Sequence, residues 1–264
     1  MHNDVRAAIE AGNVISDPKQ VGRGQFVAVP EGYSIEDLER FMDKPLRARR
    51  HVFAHDAESF SDYVNAYKAE KVNNPYLSAS LPSNRVQCIL DYHAETDPAF
   101  CDHMIRYEPP HSEEWKRWRA NDGAVMSQSD FARFIEENAD DIQKPEAAKV
   151  IEVSRSLQAK KKVDFVSDTK LSDGSVQFTY NETVEGSASR GNVKVPDEFT
   201  LGLPIYFNGV AYKVRARLRF RINAGNLSMW YDLHRREYVE QDAFLEIVKT
   251  ISGSTGLKAF MGAV

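Results

Sequence analysis

Cysteine is nearly absent: 264 residues contain only Cys88 and Cys101. Two are too few for a disulfide framework, and a chain this long has no need of one, so buried thiols are expected. No apolar run approaches the ~20 residues that carry a helix across a bilayer. Met1 to Glu10 has acidic and amide residues where a secretory leader needs a basic start and an apolar stretch. These two absences predict a cytoplasmic protein with no membrane partner. Gly-x-Ser-x-Gly, Walker, His-Glu-x-x-His and dinucleotide signatures are all missing, and no carboxylate spacing nominates an acid/base pair. A protein without catalytic activity or cofactor is the expectation. Excess positive charge is lacking too, since 34 Lys and Arg stand against 39 Asp and Glu for a net −5. That argues against polyanion binding by the whole surface but leaves room for a local basic patch.

What is present is ordinary globular composition, 42% apolar and 28% charged, with 14 Gly and 11 Pro spread along the chain. Asn3 to Ala11 reads as a short helix and Gln25 to Val29 as a strand ending at Pro30. Arg47 to Ala54 reads as extended, followed by a helix over Ala57 to Glu70 with Asp56 as its N-cap. Strands are predicted at Tyr76 to Ser80, Arg85 to His93 and Cys101 to Tyr107, the first two joined by the turn Leu81-Pro82-Ser83-Asn84. Helices follow at Glu113 to Asn121 and Ser127 to Ile142, the second opened by Ser127 with Asp130 in a capping-box-like start, and a third runs from Glu146 to about Lys160.

Beyond Lys160-Lys161-Lys162 the pattern changes to strand and turn, with Asp173-Gly174 and Asn208-Gly209 as hairpin signals and Glu185 to Gly191 as a loop. A last helix is expected from about Gln241 to Gly253. The fold class is therefore α+β: an N-terminal mixed α/β half (1–145), then a connecting helix, an antiparallel β-sheet and a C-terminal helix (146–264), the two parts open to forming one composite domain.

The segment Tyr212 to Ile222 alternates without a fault. Successive side chains of a strand point to opposite faces, so Lys213, Arg215, Arg217, Arg219 and Arg221 share one face, and Val214, Ala216, Leu218, Phe220 and Ile222 the other. Same-face neighbours lie about 6.6 Å apart, roughly twice the ~3.4 Å axial spacing of phosphates in one DNA strand. Guanidinium forks at that spacing suit a phosphate backbone. A solvated face offset by Asp232, Glu182 and Glu185 across the sheet explains the same pattern, as does a contact with an acidic patch such as Glu136-Glu137 or Asp140-Asp141 of a second copy. All three readings stay open, and two give a function: nucleic-acid backbone binding, or self-assembly into a homo-oligomer.

Trp230 and Tyr231 on the next strand would add base stacking. Trp115 and Trp118, three apart on a helix among Lys116, Arg117 and Arg119, read better as core anchors. The loop ending Arg190-Gly191 lacks the spacing of a phosphate-binding glycine loop. His93, Cys101, His103 and His111, near Asp91 and Asp102, match no zinc spacing and would approach one another simply through strand pairing, so no metal is expected.

Segment order adds a resemblance. Val29-Pro30-Glu31-Gly32-Tyr33, Ser59-Phe60-Ser61-Asp62-Tyr63-Val64, Asp91-Tyr92-His93 to Asp102-His103, Trp115, Gln128-Ser129-Asp130-Phe131-Ala132, Phe134-Ile135-Glu136-Glu137-Asn138, Val195-Pro196 and the arginine-alternating strand follow one another in the order seen in an uncharacterised family of phage and prophage proteins typified by the YfdQ protein. The likeness covers roughly residues 20 to 250. It implies a phage-encoded protein in the bacterial host cytoplasm and brings no catalytic residue with it.

Overall fold

In a computed structural model the described residues are 38–46, 48–69, 74–144, 152, 156, 164–184 and 187–263. The expected elements at Asn3 to Ala11 and Gln25 to Val29, and all but two residues of the helix from Glu146, lie outside them. The chain divides into two compact units, Met1–Ala48 and Arg49–Val264. Within the first, a 3₁₀ turn spans Leu38–Phe41, and the Leu46 N–H donates to Glu39 Oε1 (2.6 Å).

The second unit is α+β. One five-stranded sheet contains β1 (Arg50–Ala54), β2 (Tyr76–Ser80), β3 (Arg85–Ile89), β4 (His103–Tyr107) and β13 (Ala259–Met261), ordered β1-β4-β3-β2-β13. β1 runs parallel to β4 and β13 parallel to β2, with antiparallel pairs between. A second, antiparallel sheet holds β5 (Met126–Ser127), β6 (Ile142–Lys144), β10 (Glu198–Pro204), β11 (Ala211–Asn223) and β12 (Asn226–Leu233), ordered β5-β12-β11-β10-β6. The third, also antiparallel, is β7 (Asp164–Lys170), β8 (Ser175–Val184) and β9 (Ser187–Pro196). Strands from both sides of residue 145 share the two larger sheets, because β5 and β6 join the second and β13 returns to the first.

Helix α1 (Ala57–Tyr67) begins where the Asp56 carboxylate accepts from the Ser59 N–H (2.7 Å), and it buries Phe60 and Val64, one turn apart. Helix α2 (Glu113–Ala120) is capped by Ser112 and places Trp115 and Trp118 fully inside. Both indoles find acceptors, Glu240 for Trp115 (2.9 Å) and Asp141 for Trp118 (2.7 Å). The ring of Trp118 meets Phe134, Phe199 and Tyr231 at 5.0, 5.8 and 5.2 Å, so the core face of the second sheet is closed by α2 and α3 (Gln128–Glu137).

Several boundaries differ from the sequence reading, among them the strand read to His93, which ends at Ile89, and the one read to Phe207, which ends at Pro204. Helix α3 stops at Glu137, because the Asn138 side chain turns back to the Phe134 carbonyl (2.8 Å); a 3₁₀ turn then leads into β6. The expected loop from Glu185 is mostly strand: Ser187 to Gly191 pair with β8, leaving only two residues between Val184 and its partner Ser187. Gly191 is required there, since any Cβ would collide with the Tyr180 ring. Helix α4 (Arg236–Thr255) starts five residues before Gln241 without a capping side chain of its own. Asp122, in a distant loop, instead holds the junction of strand and helix, accepting from the Leu233 N–H at the end of β12 (2.9 Å) and from the Arg236 side chain at Nη1 (2.8 Å). The helix also passes Gly253 and ends at Gly256, whose φ of +67° supplies the left-handed residue that closes helices.

Candidate functional site

β11 carries the five cations. It is fixed by a hairpin on each side: with β10 through the loop holding Asn208 (φ +57°) and Gly209, and with β12 through Ala224-Gly225, both at positive φ as a two-residue turn demands. Exposure alternates along it as the sequence requires, with Val214, Ala216 and Leu218 buried and Lys213, Arg215, Arg217, Arg219 and Arg221 all exposed. One face of the sheet is core, and the other is the cationic stripe.

The neighbouring strands decide how much of that charge is available. Glu198 of β10 and Asp232 of β12 both lie opposite Arg217, while Thr200 faces Arg215, Gly202 faces Lys213, Trp230 faces Arg219 and Ser228 faces Arg221. Glu198 stands 3.8 Å from Arg217 Nε and 3.9 Å from Arg215 Nη1, beyond hydrogen-bond reach of either. Asp232 accepts a true hydrogen bond from Arg219 Nε (2.8 Å). Among the described residues no carboxylate comes within 4.0 Å of Lys213 or Arg221. Five cations thus meet two carboxylates, an excess of three, and one of the five is hydrogen-bonded to its counter-ion.

Exposed pairs of this kind are worth about 0–1 kcal/mol and leave the guanidinium free to exchange partners. The field of the stripe is felt by His234 at its end. That imidazole is held below its ordinary range by partial shielding from water and then by Arg215, Arg217 and Arg235, with Glu198 opposing.

Of the expected offsets Asp232 does act; Glu182 belongs to β8 of a different sheet, and Glu185 lies outside the described residues. Glu198 takes that place. Sequence alone does not place it, because a two-residue turn at Asn208-Gly209 would set Thr200 beside Arg217, whereas the observed register, with Pro204 opposite Ala211, puts Glu198 there. Where the third sheet approaches, a crevice of about 570 Å³ brings Arg217, Arg219 and Lys170 together with Asp168, Asp197 and Glu198, so charge balances there and the surplus sits toward the two ends of β11.

The two aromatic candidates on β12 separate by one residue of register. Trp230 is partly exposed on the cationic face, opposite Arg219, whereas Tyr231 is buried and donates its hydroxyl to the Trp118 carbonyl (2.6 Å). Trp115 and Trp118 are core residues.

His93 and Cys101 do come together, whereas the His103 ring is turned to Tyr63 and Tyr67 and that of His111 to Tyr206. Cys101 Sγ is 3.6 Å from His93 Nε2, and His93 Nδ1 accepts from the Ala99 N–H (3.1 Å). Asp91 accepts from the Asp102 and His103 backbone N–H groups (3.0 and 2.9 Å). His103 is buried and bonded to the Tyr63 hydroxyl (2.8 Å). His111 stacks on Tyr206, with Nε2 3.9 Å from Glu240. Among the described residues no three His, Cys, Asp or Glu side chains converge as a metal site needs. The Cys101 thiol is pushed up by shielding from water and by Asp91, and burial pushes Cys88 to about 12, so both favour the unreactive protonated form. No helix among the described residues is long and apolar enough to cross a membrane.

No curated protein and no solved structure matches the chain. One family model does, over residues 3–264, and it is described as an uncharacterized conserved protein (DUF2303). The chain therefore belongs to the DUF2303 family.

Proposed function

We propose that this is a non-enzymatic, phage-encoded accessory protein that grips nucleic-acid backbone with the exposed face of β11. The observation that carries the reading is the surplus of cations on one regular strand in a chain of net charge −5. A strand holds its side chains in line at about 6.6 Å, and from Lys213 to Arg221 the row runs about 26 Å. Phosphate oxygens accept the unused N–H donors of Arg215 and Arg217, and a bound backbone competes with Glu198 for them. Trp230 supplies a π-face beside the stripe for an unpaired base. Segment order resembling phage and prophage proteins supports a role in DNA transactions in the host cytoplasm, by association.

Fluorescence anisotropy with labelled single- and double-stranded oligonucleotides tests it. Lys213→Glu with Arg221→Glu removes cations that have no carboxylate within 4.0 Å among the described residues, so binding should fall at least tenfold for every sequence alike. Equal binding by wild type and this variant would rule out the β11 face.

A homo-oligomer is the second reading, favoured by β13. This short strand ends the first sheet, with Phe260 45% and Met261 52% exposed, and a sheet edge of that kind pairs readily with another chain. Light scattering of nucleic-acid-free protein distinguishes it.

A further inference from the structure

A cleft of about 680 Å³ opens between the start of α1, the loop joining β10 to β11, and α4. Its walls are chemically one-sided. Tyr107, Tyr206, Phe207 and Tyr212 line it, and four carboxylates, Asp56, Glu58, Asp62 and Glu246, surround them. Among the described residues no lysine or arginine lines it, and His55 is its one basic type of side chain.

The carboxylates are not equally committed. Asp56 is occupied by the Ser59 N–H and hydroxyl (2.7 and 2.9 Å), and Glu246 has Lys249 at 3.7 Å. Glu58 and Asp62 are exposed, and among the described residues no cation comes within 4.0 Å of either. Other carboxylates act on the rings: the Tyr212 hydroxyl is pushed up by burial and then by Glu246 and by Asp242 nearby, and that of Tyr107 by burial and then by Asp56. Phe207, 58% exposed, stands at the rim.

Aromatic faces and carboxylates together select a charged head on an aliphatic stem. The rings attract the cation through their quadrupoles and cover the methylenes, and the carboxylates form charge-assisted hydrogen bonds. A volume within the roughly 300–1,000 Å³ of organic ligand sites is far larger than a bare ion needs, and no three metal ligands converge among the described residues. An anion would be repelled.

We propose that this cleft binds an alkyl ammonium or guanidinium group, carried either by a small amine or by a basic side chain of another protein. It shares Tyr212 with the start of β11 but none of the five cations, so it stands or falls independently of the nucleic-acid reading. Titration calorimetry on the full chain tests it with three probes: 1,5-diaminopentane, Nα-acetyl-argininamide, and the neutral isostere 1,5-pentanediol. Binding of either cation, weakened by salt and with the diol silent, is the expected result. A tighter diamine assigns the cleft to small amines, and a tighter argininamide assigns it to a protein side chain. Asp62→Asn with Glu246→Gln should weaken cation binding at least tenfold. Both positions are exposed, so the variant should keep the wild-type Tm and its affinity for DNA. Silence from both cations, equal heat from the diol, or unchanged affinity in the variant overturns the proposal.

Discussion

Glu198 lies directly across from Arg217 and reaches toward Arg215 as well, 3.8 and 3.9 Å from their nitrogens, so a single carboxylate is shared by two guanidinium groups and hydrogen-bonded to neither. This loose restraint keeps two of the five cations of β11 in line while leaving their donors open. Glu198→Gln should therefore strengthen nucleic-acid binding several-fold, most at low salt where the added unit of charge is least screened. Anisotropy titrations of the variant check it, and weaker binding would show that Glu198 serves by ordering the arginines instead.

His234 gives the face a pH dependence. Its imidazole is held below the ordinary range, by shielding first and then by Arg215, Arg217 and Arg235, while Glu198 opposes them. A phosphate on the same face favours the imidazolium, so the bound value lies above the free one, and binding takes up a proton. Affinity should rise as pH falls from about 7 toward about 5, because the free imidazole is held below its ordinary range. His234→Gln should flatten that rise.

Trp118→Phe keeps an aromatic ring in the core but removes the donor that Asp141 accepts from. Burial already pushes the Asp141 carboxyl up, so losing the indole N–H should cost about 1–3 kcal/mol in urea unfolding. Combined with Asp141→Ala the loss should be less than additive, since both changes remove one contact.

Gly191→Ala should destabilise the chain by about 1–3 kcal/mol through overlap with Tyr180, and Tyr180→Ala in the same chain should recover part of it. Equal Tm values for Gly191→Ala and wild type would show that β8 and β9 do not meet in this register.

Legibility in the sequence followed the range of each interaction. The alternation of β11, the N-caps Asp56, Ser112 and Ser127 and the buried pair Trp115 and Trp118 depend on neighbours a few residues apart, and those that were read match the structure; the hairpin at Asn208-Gly209 forms too, but through residues 205–210 rather than a two-residue turn. The start of α4 was hidden because its support, Asp122, is more than a hundred residues away in sequence. β13 was missed for a similar reason: three residues form a strand only because Leu77 to Ala79 offer a parallel edge. At the site, the face of Trp230 followed from strand period, whereas the sharing of Glu198 between Arg215 and Arg217 required the β10 register. The acidic aromatic cleft gathers segments from residues 55 to 250, which no local pattern brings together.

Salt dependence is the most direct measurement of the central claim. Backbone binding releases counterions, so the logarithm of the association constant should fall linearly with the logarithm of salt concentration, with a slope between roughly −3 and −4.5 for duplex DNA if most of the five cations reach phosphate. The Lys213→Ala, Arg221→Ala variant should be shallower by about 2. A wild-type protein that shows no binding at low salt, or a slope the double variant leaves unchanged, would contradict a phosphate-gripping β11.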